Sequence, residues 1–180
     1  MEITLIIAFF AVLFLAAWVV ETVKERKGRD GEDKARIRRA AAARLENSAL
    51  YTIAYAHYMD VKLGYRSSTS SYYNYIVAFR PGELYVIPIQ FSGKEIVSQP
   101  AVLLTPEHVG EIRFQDKKRT WITFCGRDGA ELCTFGVVAS NTSDGPFQPL
   151  NIQQKEEAEK FKAFLREFAA KVRAAADQRR

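Results

Sequence analysis

Residues 3–20, which run from Ile3 to Val20, contain no charged side chain. A helix of that length spans about 27 Å, close to the hydrocarbon thickness of a bilayer. The run therefore predicts a transmembrane anchor over residues 1–22, with Ile3, Leu5, Phe9, Phe10, Leu13, Phe14, Trp18 and Val20 as anchor residues. Trp18 falls near the charged end, where an indole favours the headgroup level. A cleaved signal peptide would need positive charge before the run and a small-x-small site after it. Only Glu2 is charged ahead of the run, and the end reads Ala16-Ala17-Trp18-Val19-Val20-Glu21. All the neighbouring Lys and Arg lie on the C-terminal side, so the positive-inside rule places the N-terminus outside and the rest in the cytoplasm. The expectation is a single-pass protein of the cell membrane, with the lipid bilayer as its first partner.

Residues 23–34 read as a charged tether. Lys24, Arg26 and Lys27 are candidates for headgroup or partner contact, but Glu21, Glu25, Asp30, Glu32 and Asp33 dilute them, so anionic-lipid contact is expected to be weak. The net charge is +5, and the basic residues concentrate just after the apolar run, from Lys24 to Arg39, and at the extreme C-terminus, which is not the footprint of a nucleic-acid-binding domain. With 48% apolar and 26% charged residues, the remainder has the composition of a folding domain.

Residues 35–66 lack Gly and Pro until Gly64, and Leu50, Ile53, Ala54, His57 and Val61 recur at three- and four-residue spacing, which predicts an amphipathic helix. Tyr51, Tyr55 and Tyr58 form a neighbouring stripe. The Ser-rich stretch from Gly64 to Ser71 reads as a loop. From Tyr73 to Val138 short β-type runs alternate with turn residues, as consecutive antiparallel strands would. Asp128-Gly129 is a favoured two-residue turn, and that register pairs Phe124 with Cys133 and Ile122 with Phe135. It also pairs Cys125 with Leu132, which disfavours a disulfide and suits a reducing compartment. Residues 140–149 read as a loop. Asn151, with Gln154 three residues on, is the expected cap of a terminal helix whose face is Phe161, Phe164, Leu165, Phe168 and Val172. Residues 174–180 should fray.

About seven short antiparallel strands closed by one amphipathic helix is an order that resembles the bacterial pleckstrin-homology-like (PH-like) domains. Pro81-Gly82-Glu83-Leu84-Tyr85-Val86 looks like their opening hairpin, Thr105 to Ile112 like the turn before their middle strands, and Lys155 to Phe161 like their closing helix. The resemblance implies an α+β fold: the anchor, a helix, a curved sheet or barrel over residues 67–173, and a capping helix. It also implies a platform that meets protein or lipid.

No catalytic constellation accompanies this order. His57 and His108 have no second ligand at metal-binding spacing, Cys125 and Cys133 form no CxxC pair, and the common nucleotide, hydrolase and zinc-protease motifs do not occur. No cofactor and no metal are expected. Lys117, Lys118 and Arg119, with Trp121 on the next strand, are the remaining candidates for headgroup or partner contact. The expected function is thus non-enzymatic: a membrane-surface interaction module, meeting an unidentified membrane-proximal protein or lipid. An extracytoplasmic component, secreted or pilin-like, is the alternative.

Overall fold

The computed structural model describes residues 30–63, 68–93, 95–115, 120–143 and 150–178. Helix α1 covers residues 30–42 and a 3-10 turn covers Ser48–Leu50. Ten strands follow: β1 Thr52–Leu63, β2 Ser68–Arg80, β3 Glu83–Ser92, β4 Glu95–Ser98, β5 Val102–Leu104, β6 Val109–Phe114, β7 Ile122–Gly126, β8 Glu131–Phe135, β9 Ser140–Ser143 and β10 Leu150–Gln153. Helix α2, Lys155–Asp177, ends the described fold.

The large sheet runs β1-β2-β3, with β4 and β5 both against the far edge of β3. Ile89 pairs with Ser98 and Val86 with Val102, so two residues of β3 face the three residues from Gln99 to Ala101. Pro100 sits in that bulge, where its missing N–H costs no ladder bond. A second sheet has the order β6-β7-β8, and β9 and β10 form a separate hairpin. Where β8 ends, Gly136 exchanges both backbone bonds with His57 at 3.1 and 2.8 Å, joining the two main sheets by a single bridge. A Cβ at Gly136 would lie 2.3 Å from the Thr120 carbonyl oxygen, so only glycine fits there.

Two hydrophobic layers account for this arrangement. One face of the large sheet, with Ala54, Ala56, Val77, Phe79 and Val86, packs against Phe124 and Phe135 of the second sheet and against Phe161, Leu165 and Phe168 of α2. The other face, with Tyr55, Ile76, Ala78 and Ile87, packs under Ile37 and Ala41 of α1 and under Leu150 and Ile152 of β10. Burial on both faces explains the unbroken run Tyr75-Ile76-Val77-Ala78-Phe79, because a strand covered twice needs no polar alternate.

Polar joints hold the outer elements. The Asn151 and Gln153 N–H groups donate to the carboxylates of Asp33 and Asp30 at 2.9 and 2.7 Å, so the first turn of α1 satisfies the edge of β10. Gln154 is only 2% exposed. Its side-chain oxygen accepts the Tyr55 N–H at 2.9 Å, and its side-chain nitrogen donates to the Tyr55 and Val138 carbonyls at 2.7 and 2.8 Å. The amide thus continues, two residues on, the ladder that Gly136 begins at His57.

Several expectations are corrected. The PH-like curved sheet or barrel with about seven strands does not form: among the described residues there are ten strands in three sheets, none closed into a barrel. The helix expected over residues 35–66 is instead the end of α1, a 3-10 turn and β1. Asn47 takes a left-handed conformation (φ 59°) just before the 3-10 turn. Beyond it, Tyr51, Tyr55 and Tyr58 belong to an extended stretch, where Tyr55 and Tyr58 take opposite faces. Residues 30–34, expected in the tether, are the first turn of α1. Ser68 to Ser71, expected in a loop, belong to β2 because they pair with Leu63 to Asp60. Asn151 is not a cap; it lies in β10, and Gln154 precedes the helix.

The single-pass topology is corrected as well. No helix of the described residues is long and apolar enough to cross a membrane. Helix α1 is too short, and α2 is apolar along one face only, the opposite face being charged. The run Ile3 to Val20 on which the anchor rested lies outside the described residues, as do Lys24, Arg26 and Lys27. The bilayer as partner, the cell-membrane location and the N-out orientation rested on that run and have no support among the described residues, and nothing there favours the secreted or pilin-like alternative.

Candidate functional site

The inner face of the large sheet is not wholly covered by the second sheet. Between them opens a cleft of about 470 Å³, with Tyr73, Tyr75, Val86 and Pro88 on one side, Gln99 and Val102 at the β4–β5 edge, and Leu132 and Cys133 of β8 opposite. Apolar side chains around it stay accessible to water: Tyr73 is 46% exposed, Val102 52% and Leu132 46%.

Local backbone irregularities create this opening. In the β7–β8 hairpin Phe124 pairs with Cys133 but Cys125 pairs with Glu131, so Leu132 is the extra residue of a β-bulge. A bulge re-aims the side chain it releases, and here Leu132 turns to the mouth of the cleft. The expected pairs Phe124–Cys133 and Ile122–Phe135 are present, whereas the expected Cys125–Leu132 pair is displaced by the bulge. Gly129, with φ 81°, makes the turn, and the Asp128 carboxylate accepts the Ala130 N–H at 3.0 Å. Both cysteines are free thiols.

Two groups on the cleft wall, Cys133 and Tyr75, are held neutral by burial. Burial pushes the Cys133 thiol up to about 12, helped by the neighbouring Glu131 and Cys125. Burial also raises the Tyr75 phenol to about 12, with Cys133, Tyr73 and Glu131 adding to the effect. A thiol so disposed is a poor nucleophile near pH 7. Among the described residues no Lys, Arg, Asp, Glu or His lines the cleft.

An aromatic ladder braces its rim. Tyr73 stacks on Tyr58 with ring centres 6.2 Å apart, and Trp121 meets Tyr58 edge-on at 5.7 Å. Trp121 also meets His57 edge-on at 5.3 Å, and His57 stacks on Tyr55 at 5.7 Å. The Tyr55 hydroxyl donates to the Asn74 side-chain oxygen at 2.6 Å. Among the sequence candidates, then, Trp121 supports the cleft from behind, while Lys117, Lys118 and Arg119 lie outside the described residues. Tyr73, Tyr75, Val102, Leu132 and Cys133 were not anticipated, because they come together from strands far apart in the chain. Among the described residues no group of three His, Cys, Asp or Glu could hold a metal ion.

His57 gives a prediction of its own. Its Nδ1 is buried without a hydrogen-bond partner among the described residues, and burial lowers the imidazole's pKa below the usual value near 6.5. The unfolded chain therefore takes up the proton first, and stability present above about pH 6.5 declines as pH falls through that value toward the lower folded one. Each pH unit in that window removes at most about 1.4 kcal/mol. Urea midpoints measured from pH 7.5 to 5 should fall in the wild type and flatten in a His57→Phe variant.

No protein-family model matches the chain, and comparison with curated proteins and with solved structures yields no match. The PH-like resemblance thus has neither family nor structural support, and the membrane-surface platform it implied is set aside.

Proposed function

We propose that this α+β domain is a non-enzymatic binding module that holds a neutral, largely apolar small molecule in the cleft between the large sheet and β8. The observation that carries this reading is the wall chemistry: exposed apolar side chains surround a cleft that no acidic or basic side chain of the described residues lines. A volume of about 470 Å³ falls within the usual range for small-molecule sites. The amides of Gln90 and Gln99 and the Tyr75 hydroxyl supply a few directional contacts, and the apolar walls supply most of the affinity. An ionised ligand would lose its hydration without gaining a counter-charge.

Titration with the neutral fluorophore N-phenyl-1-naphthylamine tests this. Saturable one-to-one binding is expected, weakened at least tenfold by Val102→Asp together with Leu132→Asp. Both positions are exposed, so the thermal melt should stay near that of the wild type. Equal binding by the double variant would rule the cleft out.

A further inference from the structure

A second groove, of about 700 Å³, lies between α2 and the β6–β7 pair. Its floor is the buried trio Ile122, Phe161 and Leu165. Val137 and Val138 form one wall. On the α2 side stand Lys162, Arg166 and Arg173, with the small residues Ala169 and Ala170 between them. At 1.5 Å rise per residue the three cations are spread over about 16 Å of helix. Among the described residues no acidic side chain lines the groove, and none of the three cations forms an ion pair.

We infer that this groove docks an acidic amphipathic peptide segment of a partner protein. Its apolar side lies on Phe114, Val137 and Val138, which stay partly exposed around the buried floor, and its carboxylates meet Lys162, Arg166 and Arg173. The spacing of the cations selects this occupant. A single-chain carboxylate such as a fatty acid carries one charge at one end and would leave two cations unanswered, whereas a three-turn acidic segment carries charges along its length. Ala169 and Ala170 let such a segment approach the helix closely. This site shares no lining residue with the cleft and does not depend on what the cleft binds.

The test is fluorescence polarisation of the full chain with a fluorescein-labelled 16-residue peptide of Leu and Glu, the Leu residues at helical i, i+3, i+4 and i+7 spacing. Saturable binding is expected, falling at least tenfold in the triple variant Lys162→Glu, Arg166→Glu, Arg173→Glu. Ala170→Trp, which fills the groove and keeps the charges, should weaken it similarly, separating docking in the groove from general attraction to basic surface. A matched peptide with Lys for Glu should prefer the triple variant. No saturable binding, equal binding by wild type and triple variant, an unchanged affinity in Ala170→Trp, or binding of palmitate in place of the peptide would each overturn the assignment.

Discussion

Replacing Phe135 by Ala is expected to lower the unfolding free energy by about 3–5 kcal/mol, the range for deleting a buried aromatic ring. Phe135 has no exposed surface and meets Phe124 at 5.4 Å, Tyr75 at 5.8 Å and Phe161 at 6.0 Å. It thereby joins both main sheets to α2, and no single neighbour can collapse into the space it leaves. Because Tyr75 lines the cleft, the variant should also bind N-phenyl-1-naphthylamine less tightly at temperatures where it is still folded. Urea denaturation measures the first effect, and a loss below about 1 kcal/mol would mean that the ring is not the keystone its contacts imply.

Gln154→Leu is expected to cost about 2–5 kcal/mol. The side chain is similar in size, so the loss is one of hydrogen bonding: the Tyr55 N–H, the Tyr55 carbonyl and the Val138 carbonyl all lose the same amide. A buried backbone group left without a partner costs about 1–3 kcal/mol. Gln154→Glu separates the causes, because a carboxylate can still accept the Tyr55 N–H but cannot donate to the two carbonyls. Both variants should be destabilised in urea, and amide exchange at Tyr55 should speed up more in Gln154→Leu. Unchanged exchange there would show that the Tyr55 N–H does not rely on this residue.

These two residues illustrate what could and could not be read from the chain. Phe135 belongs to a hairpin whose pairing with Ile122 follows from the turn at Asp128-Gly129 and from alternation, both local signals. Gln154 carried a different expectation, as the partner of an Asn151 cap, because Asn and Gln three residues apart before an apolar face commonly close a helix start. Its role as a substitute peptide group for Tyr55, ninety-nine residues away, has no local signature. The cleft was hidden for the same reason. Leu132 reaches it through a bulge, and bulges follow from how strands fit one another across the fold rather than from alternation.

By itself the sequence determined the features set by near neighbours. The face Phe161, Phe164, Leu165, Phe168 and Val172 is the one α2 buries, and the pairing of Phe124 with Cys133 is the one the hairpin adopts. Tertiary structure alone decided that β1 is a strand. Apolar residues at three- and four-residue spacing suit a helix, but they equally suit a strand buried on both faces, where the period of two disappears. The pairing of β1 with β2 along its whole length, and the layers on either side of it, resolve that ambiguity. The uncharged run from Ile3 to Val20 is the most apolar stretch of the chain and lies outside the described residues. Apolarity requires a segment to leave water, but it does not specify whether lipid or protein receives it.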